Sequence, residues 1–257
     1  DFPQYRMGGK QNSTYILRFQ RWCRLEINMA QRPIYIPQTE GEYLVQTDMV
    51  DFKWFAGMAV SQKQKSIHSL HEATLEKHKN LTRILEISSK SETPLGVALS
   101  AFNLTVLNSA GKTIASVECV FQSSKVFEGD KQFLDLLKMS SREAKKDPRL
   151  KEAGQLIAFR PNGKKDKEWE LTPLTAYYDW VYINALKQHE EYHDELLAHD
   201  AFSDIEFNPD KSINCQAYSV ALFCALYKRG ILRDVLSSQQ DFLTIYQDFK
   251  VKNAAST

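Results

Sequence analysis

The sequence lacks the features that would assign this chain to a membrane or to a highly charged partner. The formal net charge is only +1, so no global field recruits DNA or an anionic surface, and any such contact must come from a local patch. The richest apolar run, 95–107, is interrupted by Ser100 and Asn103 and is too short to cross a bilayer. Internal repeats and low-complexity linkers are also missing.

Cysteine is scarce, and its spacing argues against a metal or redox motif. The four cysteines, Cys23, Cys119, Cys215 and Cys224, are far apart in the chain and form no C-x-x-C pair. No apolar secretory segment precedes them. We therefore expect a reducing, cytoplasmic setting.

The length and the apolar content allow a substantial core. A chain of 257 residues with 43% hydrophobic residues can fold as one domain, or as a main domain with an N-terminal extension. Residues 1–28 are rich in Arg and Gln, and Met29 is a candidate start, so we expect a leader or extension of unclear origin there. Strands and a helix are expected at 29–80, the main domain at 81–250 and a tail at 251–257.

Hydrophobic periodicity predicts an α+β fold that is mainly helical, with a few short strands and an N-terminal β-containing extension. Near-alternating aromatic and β-branched residues predict strands within 33–37 and 42–55. A polar helix is expected at 61–78, with Ile67 and Leu70 facing inward. Further strands are predicted at 83–89 and 99–107, and further helices at 114–127, 131–139, 142–153, within 172–199, and at 214–229 and 237–249.

One apolar segment carries an acid and an amine seven residues apart. Two helical turns nearly close on seven residues, so Glu118, Gln122 and Lys125 are predicted to share one stripe of a helix. The apolar residues between them supply the buried face, which would desolvate the carboxylate and the ammonium together. The alternative interpretation is a surface Glu and Lys that bracket a core helix.

The same segment resembles the Glu-His-x-x-Gln-x-x-Lys signature of the NADAR family, with Cys119 in place of the His. Residues 99–103 are similar to that family's Ser-Asn-Phe segment, and 182–208 resemble its long helix, leucine-rich turn and Val-Glu strand. Other segments resemble the subgroup of antitoxins associated with DarT-type DNA ADP-ribosyltransferase toxins; they are 52–54, 61–67, 141–149 and 205–217. The resemblance spans roughly 29–232 and implies a NADAR domain.

The resemblance implies hydrolysis of the N-glycosidic bond between ADP-ribose and guanine bases in DNA. The protein would then be the antitoxin of a toxin–antitoxin system used in phage defence. ADP-ribosylated DNA and ADP-ribose would be its ligands, and a DarT-type toxin its functional partner, with or without direct docking. No cofactor, metal or membrane is implied, and the oligomeric state is not indicated.

Two other functions remain open. One is an N-glycosidase that acts on a small molecule, such as an intermediate of the riboflavin pathway. The other is a non-catalytic module that binds ADP-ribose or sequesters the toxin. Each of the three functions predicts a different outcome when the protein meets a modified oligonucleotide.

Within the resemblance, Glu118 is the predicted catalytic acid–base residue. Breaking the bond builds positive charge on the sugar, and a nearby carboxylate stabilises that charge and accepts a proton from water. Lys125 is predicted either to hold a ribose hydroxyl or phosphate, or to attack the ring-opened sugar as an amine. The second route forms a Schiff base and requires that burial lowers the lysine pKa.

ADP-ribose also needs donors for its pyrophosphate and partners for its adenine and riboses. The predicted binding residues are Lys90, Ser100, Phe102, Asn103, Gln122, Glu206, Asn208, Lys211, Ser212, Asn214 and Gln216. Ser212 and Asn214 lie at the predicted start of a helix, where free N–H groups bind anions; the alternative is that either is an ordinary N-cap. Gln216 is predicted to contact adenine or ribose. This chain lacks the Trp-Gly that usually follows the Val-Glu segment of the family.

A polar loop provides the candidate DNA contact. Arg160, Lys164 and Lys165 are predicted to lie along a DNA backbone, and Trp169 is predicted to stack on a base. A second basic group lies at 142–151. Acids are interleaved with both groups, so a solvated surface is the alternative for each.

One motif is read as a coincidence. His189 and His193 fit H-E-x-x-H, and His199 lies at the third-ligand spacing of metzincin proteases. Leu196 fills the position where a glycine must let the third histidine turn back, and no Met follows Met139. We therefore assign no metal ligands.

Overall fold

The computed structural model describes residues 28–250, so the leader expected at 1–28 lies almost wholly outside the described residues. The described part has an α+β fold, as predicted. Its strands are β1 (Met29–Pro37), β2 (Val45–Lys53), β3 (Ile84–Glu86), β4 (Thr105–Leu107), β5 (Thr113–Ser116), β6 (Lys125–Phe127), β7 (Lys131–Gln132), β8 (Leu156–Phe159) and β9 (Ala201–Ser203).

Helices contribute more residues than strands. The α-helices are α1 (Val60–Lys77), α2 (Pro94–Ala98), α3 (Val117–Ser123), α4 (Ser141–Lys146), α5 (Arg149–Glu152), α6 (Ala176–Lys187), α7 (His193–Leu197), α8 (Gln216–Lys228), α9 (Leu232–Val235) and α10 (Gln239–Asp248). Short 3-10 helices lie at Leu134–Lys138, Pro161–Gly163, Lys165–Lys167 and Glu190–Tyr192. Of these described helices, none is both long and apolar enough to cross a membrane.

The largest sheet has the strand order β2-β1-β9-β3. Strands β1 and β2 form the predicted antiparallel hairpin, and β1 also pairs antiparallel with β9, with Ile34 opposite Ser203. Helix α1 covers this sheet and buries Ile67 and Leu70, which confirms the predicted inward face. The N-terminal hairpin and the C-terminal half of the chain therefore share one sheet.

The main core surrounds the two apolar helices α6 and α8. An aromatic cluster extends it toward α3 and β8. The rings of Phe159 and Tyr177 stack with centroids 4.8 Å apart, and Phe121 meets Tyr178 edge-on at 5.1 Å. Such pairs add directional packing to the area they bury. They fix helix α3, and with it Glu118.

The predicted helix at 114–127 is wrong at both ends, because the chain forms β5, α3 and β6 there. The hydroxyls of Ser123 and Ser124 both donate to the Val120 carbonyl, at 3.0 and 2.8 Å, and such side chains compete with helical hydrogen bonding. The Ser124 carbonyl then accepts from the Arg160 amide at 2.6 Å. The helix therefore ends before Lys125, which lies on a strand.

Two further predicted elements are shorter than expected. The long helix within 172–199 stops after α6, where the Gln188 amide pairs with both backbone groups of Leu107, at 2.8 and 3.0 Å. The strand predicted at 99–107 is reduced to β4. The preceding residues, 94–98, form helix α2. The Thr93 side chain caps this helix by accepting from the Gly96 amide, and Pro94 occupies its first position.

Asp179 of α6 is a buried carboxyl whose ionisation opposes folding. Its Oδ1 accepts from the Ser219 hydroxyl at 2.5 Å and its Oδ2 from the Tyr246 hydroxyl at 3.2 Å. Burial nevertheless raises the pKa of Asp179 to about 6. The unfolded chain loses this proton near pH 4, so stability falls as the pH rises from about 4 to about 6 and stays lower above that.

We expect Asp179→Asn to remove this pH dependence, because the amide mimics the neutral acid. The effect in the wild type is on the order of 3 kcal/mol between pH 4 and pH 7. Urea unfolding at several pH values measures it, with exposed Asp234→Asn as the control. If the free energy of unfolding of Asp179→Asn fell with rising pH as it does in the wild type, Asp179 would not be the source of the pH dependence.

Candidate active site

A cleft of about 370 Å³ opens between the 99–104 turn, helix α3 and the 204–214 segment that leads into α8. Nine predicted site residues line it: Ser100, Phe102, Glu118, Glu206, Asn208, Lys211, Ser212, Asn214 and Gln216. Ser89, which follows a predicted strand, is a further candidate pyrophosphate donor in the lining, and sequence reasoning did not assign the others to the site: Ala101, Lys145, Tyr178, Asp204 and Phe207. The cleft brings together residues more than 100 positions apart in the chain.

Glu118 is held in the first turn of α3. The Ser116 hydroxyl caps this helix by accepting from the Cys119 amide at 3.2 Å, and the Glu118 amide donates to the Ala101 carbonyl at 2.9 Å. The residue is 4% exposed, and its Oε1 accepts from Gln122 Nε2 at 2.8 Å. The positive end of the helix also favours a carboxylate here. Glu118 is therefore buried and held in a fixed orientation at the cleft wall.

The amine nearest to Glu118 in the cleft is Lys145. Its Nζ lies 3.7 Å from Glu118 Oε2 and 5.1 Å from the centre of the Phe102 ring. Helix α4 carries Lys145, and the Ser141 hydroxyl fastens that helix to the Phe102 carbonyl at 2.7 Å. The sequence placed Lys145 in the 142–151 basic group and in the 141–149 segment of the resemblance but gave it no role in the site, because its contact with Glu118 is tertiary.

Lys125 does not share a helical stripe with Glu118, so that prediction is wrong. It lies on β6, and its Nζ is 5.1 Å from the centre of the Phe121 ring. Burial lowers the pKa of Lys125, and the negative charge of Glu118 partly opposes that shift. The residue is close enough to interact electrostatically with Glu118, but it is not part of the cleft lining.

Gln216 fastens three walls of the cleft. Its Nε2 donates to the Ile87 carbonyl at 2.6 Å and to Asp204 Oδ2 at 3.0 Å, and its Oε1 accepts from the Ala101 amide at 2.7 Å. Because both ends of this amide are engaged, Gln216 holds the walls together, and its predicted contact with adenine or ribose stays a prediction.

Asp204 is a buried acid in the cleft wall. Its Oδ1 accepts from the amides of Glu206 and Phe207, at 3.0 and 3.2 Å. Burial, together with the nearby carboxyl of Glu86, raises the pKa of Asp204 to about 8. Its hydrogen bonds shape the turn that begins the 204–214 segment.

Two buried acceptor atoms at this site have no hydrogen-bond partner among residues 28–250. They are Gln122 Oε1, beside Glu118, and Asn214 Oδ1, in the cleft lining. An unpaired buried acceptor costs free energy, so each atom could accept one further hydrogen bond. Helix α8 begins only at Gln216, with Cys215 as its N-cap, so neither Ser212 nor Asn214 is a helix cap.

Lys90 and Asn103 lie outside the cleft lining. The Asn103 side chain is exposed and donates to the Val97 carbonyl at 2.8 Å. Lys90 is half-buried, and its backbone amide donates to the Ser88 hydroxyl at 3.1 Å. Their predicted contacts with ADP-ribose have no support from this geometry.

The predicted DNA contacts of Arg160 and Trp169 are wrong. Arg160 is 8% exposed, and its guanidinium pairs with Asp130 and Glu168 at 2.8 and 2.6 Å. Trp169 is 3% exposed in the aromatic core. Asp130, from a separate turn, and Glu168 therefore offset the charge of Arg160. Lys164 and Lys165 are exposed, and Lys165 pairs with Asp130 at 3.2 Å.

The histidines of the H-E-x-x-H match do not converge. His189 Nε2 lies 3.0 Å from the Thr105 carbonyl oxygen, His193 Nε2 lies 3.0 Å from that of Leu186, and His199 Nδ1 lies 2.9 Å from that of Glu195. Within the described part of the chain, no three His, Cys, Asp or Glu side chains are placed to hold a metal ion.

The fold and the cleft define a small α+β domain with a buried glutamate at the N-terminus of a helix, facing a polar cavity. The class is the NADAR domain. More particularly, the family described as DarT1-associated NADAR antitoxin matches residues 30–256, and the chain belongs to that family. No curated protein matches this chain.

Proposed function

We propose that this antitoxin hydrolyses the N-glycosidic bond between ADP-ribose and guanine in DNA. The Glu118 carboxylate carries the proposal, because it is 4% exposed and lines a cleft of about 370 Å³. That volume lies within the range of small-molecule sites. Breaking the bond makes the anomeric carbon positive, and a desolvated carboxylate stabilises this charge more strongly than one in water.

The reaction assigns a proton path to Glu118. Water attacks the anomeric carbon, the bond to the exocyclic nitrogen of guanine breaks, and that nitrogen takes up a proton. Glu118 accepts the proton that the attacking water loses and passes it on to the departing nitrogen, which regenerates the carboxylate. Gln122 holds the carboxylate by its 2.8 Å hydrogen bond, and the Lys145 ammonium lies 3.7 Å from it.

The 204–214 segment and the start of α8 are suited to the diphosphate. Helix α8 has 13 residues, no side-chain hydrogen bond at its N-cap and no acid in its first turn. The amides of Ala217 and Tyr218 approach the buried Cys215 thiol, and the positive end of the helix dipole favours an anion on this side of the cleft. Lys211 and Ser212 line the same side of the cleft, and the unpaired Oδ1 of Asn214 can accept from a ribose hydroxyl or from the adenine amino group.

An oligonucleotide that carries one ADP-ribosylated guanine tests the function. We expect the protein to release free ADP-ribose and to restore unmodified guanine, as measured by mass spectrometry. Cleavage of a riboflavin-pathway intermediate without release from DNA would overturn the proposal in favour of a small-molecule N-glycosidase. Binding of ADP-ribose or toxin without any cleavage would overturn it in favour of a non-catalytic module.

The route through Lys125 gives a separate prediction. We expect borohydride treatment during turnover to leave no ADP-ribose attached to the protein, because Lys125 lies outside the cleft lining and its ammonium faces the Phe121 ring. Peptide mapping by mass spectrometry detects an adduct directly. A reduced adduct on Lys125 would establish the Schiff-base route instead, and Lys125→Arg would then abolish both the adduct and turnover.

A further inference from the structure

A second surface feature lies outside the cleft, and we call it the hairpin–helix patch. It consists of Arg32 on β1, Lys53 at the end of β2, Lys63 on α1, and the rings of Trp54 and Phe55 between them. The Arg32 guanidinium lies 5.4 Å and the Lys63 Nζ 4.5 Å from the Trp54 ring centre. Lys53 Nζ lies 5.0 Å from the Phe55 ring centre. Three cations are thus held on two adjacent aromatic side chains.

The aromatic rings place these cations without neutralising them. A cation–π contact attracts the charge through the ring face, whereas the ion pairs of Arg160 cancel its charge. None of the three patch cations lies within 4 Å of a carboxylate among residues 28–250. The sequence 52–71 contains no Asp or Glu. Asp204 and Asp210 interact with Arg32 from beyond 4 Å, so the local positive charge of the patch rests mainly on Lys53 and Lys63.

The backbone of the patch is fastened to α1. The Lys53 amide donates to the Ser69 hydroxyl at 3.1 Å, and the Phe55 amide donates to the Ser66 hydroxyl at 2.9 Å. Ser66 is fully buried. The charges are therefore presented by an ordered surface, which lowers the entropy lost when a partner binds.

The patch is continuous with the cleft. In the β1–β9 register Ile34 lies opposite Ser203, so Arg32, two residues back, lies beside the start of the 204–214 segment. Asp204, in the cleft wall, and Asp210 both lie close enough to Arg32 to interact with it electrostatically. A polymer that enters the cleft near Asp204 therefore meets Arg32 first.

We propose that the hairpin–helix patch binds the phosphodiester backbone of a single DNA strand whose modified base enters the cleft. The inference rests on the proposed function, since that strand carries the ADP-ribosylated guanine. A single strand fits better than a duplex, because Glu118 is buried and a stacked, paired base cannot reach it without leaving the helix. The contacts are to phosphates, so binding is insensitive to sequence and weakens with salt. The patch takes the role that the sequence assigned to the loop at 160–167.

Fluorescence anisotropy with labelled oligothymidylate tests the patch without requiring hydrolysis. The variant Arg32→Gln/Lys53→Gln/Lys63→Gln is expected to bind at least tenfold more weakly at low salt. Its slope of log K against log salt should fall by about 2, since each single-strand phosphate contact contributes roughly 0.7. The control Lys112→Gln/Lys138→Gln/Lys187→Gln removes the same charge from exposed positions elsewhere and should bind like the wild type.

Failure of the patch and failure of the proposed function give different results. The triple patch variant should keep its thermal midpoint and its cleavage of ADP-ribosylated guanosine, a substrate without a DNA backbone, while losing cleavage of the modified oligonucleotide. If no substrate is cleaved by the wild type but oligothymidylate binding depends on the patch, only the hydrolase function fails.

Equal binding by wild type and patch variant would overturn the patch, as would a tenfold loss in Lys164→Gln/Lys167→Gln instead. Equal losses with oligouridylate would support recognition of the phosphodiester backbone, and tighter binding to a duplex would overturn the single-strand assignment.

Discussion

Replacing Glu118 with glutamine is expected to slow ADP-ribose release by about 1,000-fold, within the range for loss of an acid–base group. The amide keeps the size of the carboxyl but cannot accept the proton from water or carry the negative charge that stabilises the sugar. ADP-ribose binding should persist, because the proposed diphosphate site lies in the 204–214 segment and at the start of α8. Single-turnover cleavage of the modified oligonucleotide and calorimetric binding of ADP-ribose measure the two effects separately.

The matched control for this substitution is Glu152→Gln on α5, an exposed acid outside the cleft. It should cleave at the wild-type rate. Full activity in Glu118→Gln would remove Glu118 from the mechanism. A fall in thermal midpoint together with loss of ADP-ribose binding would show that Glu118 supports the fold of the site rather than its chemistry.

Gly96→Ala is expected to destabilise the protein by about 3 kcal/mol or more, the upper part of the range for overpacked sites. A Cβ atom at this position of α2 would lie 2.1 Å from the Glu86 carbonyl oxygen and 2.2 Å from the Ser91 hydroxyl. The carbonyl belongs to β3 and cannot move without disturbing the central sheet. Glu86 also accepts from the Ile205 amide at 2.9 Å, so the disturbance reaches the segment that borders the cleft.

Gly230→Ala separates steric overlap from backbone strain. Gly230 has φ +72° and no atom within 4 Å of an added Cβ, so its substitution should cost only about 1 kcal/mol, from the left-handed backbone. Urea unfolding of the two variants gives the comparison. Equal and small losses would show that α2 can shift away from β3, contrary to the close packing described above.

Elements with strong local patterns could be predicted from the sequence. Helices α1, α8 and α10 were predicted to within a few residues, and the hairpin of β1 and β2 follows from alternating apolar residues. Helix α3 was not predicted correctly, because the pairing of β6 with β8 ends it, and that pairing joins segments about 30 residues apart. The spacing of apolar residues within one segment cannot show where that segment starts to pair with a distant strand.

The residues of the candidate site were also predicted only in part. The resemblance to NADAR proteins located Glu118 and the 204–214 segment, and the fold brings both to one cleft. It did not locate Lys145 or Tyr178, whose places depend on how α4 and α6 pack. Trp169 could not be assigned either, because an aromatic residue beside basic residues has the same sequence pattern whether it is buried or exposed.

The amide of Gln216 joins the ends of segments that lie about 130 positions apart, at Ile87 and at α8. A chain in which α8 has not yet docked therefore has Glu118 on its short helix but no enclosed cavity around it. Activity is then coupled to the cooperative folding of the entire domain. Substitutions far from the cleft would reduce the number of competent molecules in the population, and the rate constant of each folded molecule would stay the same.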